Sequence, residues 1–272
     1  MSLSTHLAPG ALPDAARAEL ARAVARLEDV SLAARLAGAI GTPVEALKAR
    51  LPGAVQGMLD SAVRRALSTA MEAALKSEPA RKPAAISSSW FHRGMAAASG
   101  AAGGAFGLPG TLVELPVSTT LLLRQVAAIA AEQGEDLAQP ETAAECLKVF
   151  ALGGRDSRDD AAESGYFAVR VALAEALKGA VGKGLVGTML PGFLGAIAAR
   201  FGGPVALKIS AQAAPLIGAA AGAAVNIAFL EHFRGIAEGH FTVRRLEREH
   251  GKDPVRAAYE AIQATRDARF NG

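Results

Sequence analysis

The chain has 272 residues, of which 51% are hydrophobic and only 5% aromatic, and its formal net charge is +3 at pH 7. This length suits one large domain or a core with an attached helical region. The small charge excess argues against a nucleic-acid-binding protein, and a single cysteine, Cys146, excludes an intrachain disulfide and is compatible with a reducing compartment.

The first 86 residues predict an amphipathic helical region that ends in a linker. Apolar residues recur every three or four positions over residues 13–29 and 54–76, with charged residues between them. Two prolines then interrupt the helical pattern, which places the linker at residues 77–89. We therefore divide the chain into residues 1–86 and residues 87–272.

Three stretches in the second region carry no charge, namely residues 94–113, 184–199 and 209–230. A membrane-spanning helix needs about 20 apolar residues, but these stretches consist mostly of glycine and alanine, which favour insertion weakly. Small residues spaced four apart let helices pack closely. We therefore predict buried core helices, with membrane insertion or a dipping hairpin as the alternative. The glycines expected at helix contacts are Gly100, Gly104, Gly107, Gly218 and Gly222.

The remaining segments also have helical patterns, for instance from Pro140 to the glycine pair at 153–154, and over residues 253–270. Proline predicts a break before residue 116. No alternating strand pattern of useful length occurs. The predicted fold class is all-α: a Gly/Ala-rich helical bundle preceded by an amphipathic N-terminal helical region.

Sequence motifs for catalysis or cofactor binding are weak. Residues 182–187 match G-x-G-x-x-G, but a helix-like segment precedes them and no acidic residue occurs before Glu231. His232 and His240 share a helix but are separated by about 12 Å of rise, too far for one metal ion. An acidic cluster includes Asp159, but arginines lie within it. We predict no catalytic residue, metal site or cofactor.

Two charges within the apolar region offer the best candidate site. Glu114 and Arg124 border or interrupt long uncharged runs, and burying either charge unpaired would cost several kcal/mol, about 3–5 kcal/mol by analogy with broken buried pairs. They should pair with each other or with a partner such as Arg93, or face water. Together with His92 they define a predicted polar pocket or buried pair.

The distribution of charge also points toward a membrane surface. No acidic residue lies between Glu175 and Glu231, whereas Lys178, Arg200 and Lys208 fall in that interval. Such a cationic fringe would suit an anionic lipid leaflet, although the same cations would also suit the ends of buried helices. The N-terminus lacks the basic start and apolar core of a signal peptide, which predicts a cytoplasmic protein, peripheral at the inner membrane.

Two segments carry a resemblance to a known family. Residues 107–124, GLPGTLVELPVSTTLLLR, and residues 141–154, ETAAECLKVFALGG, resemble the signature of the EcsC protein family. The resemblance covers residues 87–251, and the N-terminal third shows no comparable match. It implies a bacterial, cytoplasmic or membrane-associated helical protein. The family takes its name from a protein encoded beside an ABC transporter and has no established reaction, so no catalytic role can be carried over.

These observations favour a non-enzymatic accessory protein that binds lipid or a membrane partner, such as a transporter, through residues 94–131 and 209–230. Nucleic acid is not an expected partner. One alternative is a hydrolase acting on a lipid or peptide, with Glu114, Arg124, His92 or Asp159 in a cleft. The other is a soluble helical bundle that binds an apolar ligand.

Overall fold

The computed structural model describes residues 12–28, 32–40, 61–70, 94, 107–154, 165–178, 190–212 and 219–270. Within these ranges the regular structure is entirely α-helical, which confirms the predicted all-α class. The described helices, numbered in chain order, are α1 Asp14–Glu28, α2 Leu32–Ile40, α3 residues 61–70, α4 Gly107–Glu132, α5 Pro140–Leu152, α6 Tyr166–Lys178, α7 Leu190–Gln212, α8 Ala219–His250 and α9 Lys252–Phe270.

Helix α8 is the central element of the fold. Its 32 residues extend for about 48 Å, and it packs against α1, α2, α4, α5, α7 and α9. The contact with α1 is especially close at Gly239, where an added Cβ would lie 2.8 Å from Cγ of Leu27 and 3.1 Å from the carbonyl oxygen of Ala23. The N-terminal helix therefore belongs to the same buried core as the C-terminal helices.

Four phenylalanines join α5, α7 and α8. The ring centroids of Phe150 and Phe201 are 4.8 Å apart, those of Phe201 and Phe233 are 5.5 Å apart, and those of Phe229 and Phe233 are 4.9 Å apart. The rings meet edge-on or tilted, the arrangement that aromatic quadrupoles favour. All four side chains are buried, so this aromatic cluster fixes the relative positions of the three helices.

A pair of glycines lets the end of α5 approach its neighbours. A Cβ at Gly153 would lie 2.4 Å from the Phe233 ring, and one at Gly154 would lie 2.1 Å from the carbonyl oxygen of Arg200. Nε2 of His232 is 2.8 Å from the carbonyl oxygen of Gly153. The glycines at 153–154 are therefore needed for close backbone packing of α5 on α7 and α8.

Two expectations about helix ends were wrong. Helix α4 continues through Pro116, because its packing against α5, α7 and α8 outweighs the cost of about 3 kcal/mol that a proline imposes in a helix interior. The uncharged stretch 209–230 is not one helix: α7 ends at Gln212 and α8 begins at Ala219. Helix α8 then continues into the charged sequence, because alanine, glutamate and arginine all have high helix propensity.

Candidate functional site

A buried polar cluster lies where α4, α7 and α8 meet. Nζ of Lys208 is 2.9 Å from Oε2 of Glu114 and 3.1 Å from Oγ of Ser118, so the lysine donates to both. Nδ2 of Asn226 donates to the other carboxylate oxygen, Oε1 of Glu114, at 3.1 Å. We call Glu114, Ser118, Lys208 and Asn226 the core polar cluster. It connects three helices through hydrogen bonds in an otherwise apolar region.

Burial makes the ion pair of this cluster sensitive to the loss of either partner. Lys208 is 0% exposed and Glu114 is 7% exposed. Burial lowers the pKa of Lys208 below its ordinary value, even though the carboxylate of Glu114 opposes the shift. The Phe229 ring centroid, 5.1 Å from Nζ, adds a favourable contact with the cation. Such a pair has little net value for stability, but removing one charge leaves the other uncompensated.

A small cleft borders the core polar cluster between α4 and α8. Its volume is about 10 Å³, which is the size of a single water molecule. Apolar side chains dominate its lining, and Ser118 and Asn226 supply the polar edge; the apolar lining residues are Leu121, Leu122, Phe229 and Leu230. The cleft in this form accommodates no substrate-sized group.

A second buried network, which we call the Tyr–His–Glu chain, links α6, α8 and α5. The Tyr166 hydroxyl is 2.9 Å from Nδ1 of His240, and Nε2 of His240 is 3.1 Å from Oε2 of Glu145. Burial lowers the pKa of His240 despite the nearby carboxylate, so the imidazole is neutral at pH 7. Because a carboxylate only accepts hydrogen bonds, we assign the proton to Nε2, and Nδ1 accepts from the tyrosine.

Glu145, at one end of the Tyr–His–Glu chain, is a strongly stabilised anion. Burial alone would raise its pKa, but the hydrogen bond from His240 and the charges of Lys148 and Arg244 outweigh that effect and hold the pKa well below its ordinary range. Nζ of Lys148 is 2.8 Å and Nη1 of Arg244 is 3.2 Å from Oε1 of Glu145. Glu145 therefore remains ionised across the physiological pH range.

Two candidate nucleophiles, Tyr166 in the Tyr–His–Glu chain and Cys146 beside it, are held in their protonated, unreactive forms. Burial, reinforced by the charges of Glu145 and Glu135, raises the pKa of the Cys146 thiol to about 12. Burial also raises the pKa of Tyr166 above its ordinary value. Both groups are protonated at pH 7 and are at most 3% exposed. The Tyr–His–Glu chain therefore holds helices together and presents no reactive group to solvent from these two residues.

Two bidentate ion pairs lie between the Tyr–His–Glu chain and the protein surface. Arg170 on α6 donates to both carboxylate oxygens of Glu247 on α8, at 2.7 and 2.9 Å. Arg244 on α8 donates likewise to Glu135, in the turn after α4, at 2.8 and 3.0 Å. Paired hydrogen bonds of this geometry are among the stronger ion-pair contacts. The C-terminal half of α8 is thus tied to α6 and to the α4–α5 turn.

Glu114 and Arg124, the two described residues of the predicted polar pocket, do not pair with each other. Glu114 is buried and paired with Lys208, whereas Arg124 is exposed. The two residues are ten positions apart on α4, which is about 15 Å of helical rise. His92 and Arg93 lie outside the described residues. Lys208, assigned from the sequence to a cationic fringe, is instead fully buried, because its charge is neutralised by Glu114.

The glycines proposed for helix packing are described only in part. Gly107 is the first residue of α4, and Gly222 is buried within α8. Gly100, Gly104 and Gly218 lie outside the described residues. The glycines for which the structure shows the closest approaches, at 153–154 and 239, were not singled out from the sequence for helix packing.

The Tyr–His–Glu chain was also missed at the sequence level. Its members are separated by 74 and 95 positions, and no motif links them. The available signal was weak: Glu145 interrupts an apolar run between Ala144 and Cys146, and a charge inside a buried helical face requires a partner.

These features define a helical protein whose core is organised around two buried polar networks. Among the described residues, no group of three or more His, Cys, Asp or Glu side chains is placed to hold a metal ion. The profile of the EcsC protein family matches residues 14–246, and the chain therefore belongs to the EcsC protein family. The match begins in α1, so it includes the N-terminal helices that the sequence resemblance omitted. Neither a curated protein nor a solved structure gave a significant match.

One helix in the described part of the chain is long and apolar enough to cross a membrane by length and composition alone. This segment, Gly192–Ala211 in α7, has a mean hydropathy of 1.2, and 50% of it is buried inside the protein. Core helices of soluble proteins pass the same test, so its composition alone is weak evidence of membrane insertion.

Proposed function

We propose that this protein is a non-enzymatic accessory protein that associates peripherally with the cytoplasmic face of the inner membrane, where it binds lipid or a membrane protein such as a transporter. The observation that carries this proposal is the outward side of α7. Half of its apolar segment is buried, and the other half is partly buried or exposed, with Gly192, Ala199 and Gly203 exposed; this side of the helix is the one we propose as the contact.

The two sides of α7 differ in residue size. Phe193, Ile197 and Phe201 are buried and anchor the helix in the core, whereas Ala199 and Gly203 are exposed. An outward side of small, uncharged residues can approach an interface closely. It offers little apolar area for deep burial, which favours reversible docking at the membrane surface.

Arg200 supports surface docking over insertion. It lies near the middle of the apolar segment of α7 and is half-buried. An arginine at the centre of a spanning helix costs about 2.5–3.5 kcal/mol on the insertion scale. At the interface, the same side chain can keep its guanidinium among water and headgroups.

The non-enzymatic part of the proposal rests on how the polar groups are used. Glu114 and Lys208 neutralise each other, and Tyr166, His240 and Glu145 are bonded to one another in the core. Among the described residues, these candidate acids, bases and nucleophiles are enclosed in the core and are not presented to a substrate, with Tyr166 and His240 at most 1% exposed.

The two alternative functions have less support. A hydrolase that uses Glu114 and Arg124 together is disfavoured, because these residues are about 15 Å apart along α4. A ligand-binding bundle would use the cleft beside Ser118 and Asn226, but its volume of about 10 Å³ must increase before it admits more than water.

Fractionation of untagged protein tests the proposal, with salt, carbonate and detergent washes of the membrane pellet. We expect the protein in the membrane fraction and its release by salt or carbonate. A wholly soluble protein that also fails to float with liposomes would overturn the proposal. Release by detergent alone would show insertion and would contradict peripheral docking.

A matched pair of variants locates the contact on α7. Ala199→Glu places a charge on the outward side of α7, and Ala257→Glu places the same charge on an exposed position of α9. We expect Ala199→Glu to reduce liposome flotation severalfold and Ala257→Glu to leave it nearly unchanged. Equal loss in both variants would contradict a specific role for α7.

A further inference from the structure

Two helices that pack against each other, α2 and α7, carry basic residues and no Asp or Glu. The described residues of α3, 61–70, add two further arginines, and Asp60 precedes them directly in the sequence. Arg35 on α2 and Arg64 and Arg65 on α3 are exposed, and Arg200 on α7 is half-buried. We call these four arginines the basic face. Lys208 of α7 is not part of it, because its charge is committed to Glu114 in the core.

The basic face differs from the arginine-rich half of α8. There, Arg234, Arg244, Arg245 and Arg248 all form ion pairs with glutamates. The four arginines of the basic face, in contrast, form no ion pair with any residue in the described ranges. Within the described part of the chain, these four charges are therefore not neutralised by a carboxylate.

Arg64 and Arg200 lie at α7, the helix that is long and apolar enough to cross a membrane by length and composition. A Cβ built on Gly195 of α7 would lie 3.3 Å from Nη1 of Arg64, so the guanidinium rests against the half-buried side of α7. Helix α2, which carries Arg35, packs against α7 directly. Basic residues far apart in the sequence thus lie on α7 itself and on two helices beside it.

We propose that the basic face docks on the anionic headgroups of a lipid bilayer, with the outward side of α7 against the interface. This inference rests on the proposed membrane association and deepens it by naming the lipid class and the face. A bilayer offers anionic charge beside an apolar boundary, which matches arginines beside Ala199 and Gly203. Nucleic acid would match only the charge.

The strength of this docking follows from surface electrostatics. Each Lys or Arg near an anionic leaflet contributes a factor of about five to membrane partitioning, and the effect is screened within a Debye length. Removing two arginines of the basic face should therefore weaken binding on the order of 25-fold. Helices α2 and α7 carry no carboxylate that the leaflet would repel.

The test is co-sedimentation of the full chain with two kinds of vesicle at low and high salt. One is pure phosphatidylcholine, and the other contains three parts phosphatidylcholine to one part phosphatidylglycerol. The variant is Arg64→Gln/Arg65→Gln. The control, Lys252→Gln/Arg269→Gln, removes the same charge from exposed positions on α9, a helix that carries three acidic residues.

We expect the wild type and the control to bind the phosphatidylglycerol vesicles, salt to weaken that binding, and Arg64→Gln/Arg65→Gln to lose roughly 25-fold in affinity. Unchanged thermal unfolding of the variant shows that the loss is not one of folding, as expected for two exposed side chains.

Other outcomes separate the two proposals. Equal binding to both kinds of vesicle, or unchanged binding by Arg64→Gln/Arg65→Gln, would contradict the role of the basic face but not the proposed membrane association. Failure of the wild type to bind either vesicle overturns both. Binding of a short DNA duplex in place of vesicles, lost in the same variant, overturns the assignment to lipid.

Discussion

The two halves of α8 bury polar groups in opposite ways. Near its start, Asn226 joins the core polar cluster, a compact group that surrounds one ion pair with apolar side chains. Toward its end, His240 and Arg244 join a network that continues through Glu145 and Glu135 to the surface. A buried pair with one cation facing one carboxylate depends on both partners, whereas a branched network of charges can retain other contacts when one is lost.

The largest effect should come from breaking the buried Glu114–Lys208 pair. Lys208→Met leaves the buried carboxylate of Glu114 without its cation, and we expect a loss of about 3–5 kcal/mol in the free energy of unfolding. Urea denaturation monitored by circular dichroism measures this loss. Glu114→Leu/Lys208→Met, which removes both charges, should recover much of it; a double variant at least as unstable as the single one would contradict the interpretation.

A smaller effect should follow from breaking one bond of the network. Tyr166→Phe removes the hydroxyl that donates to His240 and retains the stacked contact with Tyr259 at 5.3 Å. We expect a cost of about 1–2 kcal/mol, measured by the same denaturation. A cost as large as that of Lys208→Met would show that the network tolerates the loss of a contact no better than the Glu114–Lys208 pair does.

The smallest and most gradual effect is the pH dependence of the network. The folded-state pKa of His240 is depressed by burial, so below the unfolded value of about 6.5 the unfolded chain binds the proton first. Stability should therefore decrease below about pH 6.5, by at most about 1.4 kcal/mol per pH unit from this residue. The depressed pKa of Glu145 adds stability that is present above about pH 4.5 and lost below it.

Thermal unfolding between neutral pH and pH 5 measures the histidine contribution. In His240→Gln, the unfolding temperature should decrease less between neutral pH and pH 5 than in the wild type, because the titrating imidazole is absent. An identical pH profile in His240→Gln and the wild type would show that another group is responsible.

The all-α fold class and several helix ends could be predicted from the sequence alone. The three-to-four spacing of apolar residues predicted an all-α protein, and a proline at the start with glycines at the end predicted α5 at Pro140–Leu152. The passage of α4 through Pro116 could not be predicted, because it depends on packing by other helices.

The candidate site was predictable only at one residue. Glu114 stood out as a charge beside apolar runs, and its need for a partner followed from the cost of burying it. Its partner, Lys208, lies 94 positions away on another helix. Helical periodicity identifies the face that a residue occupies, but it does not identify the helix that packs there.

The contact between α1 and α8 has a consequence for synthesis of the chain. Leu27 packs against Gly239, and Glu19 pairs with Arg245, 226 positions later. At ribosomal rates of about 5–20 residues per second, α1 emerges roughly 10–45 s before its partner helix. Its apolar side, which includes Leu20 and Val24, is therefore without its native partner during most of translation. The nascent chain should need a chaperone or early helix pairing until the C-terminal helices appear.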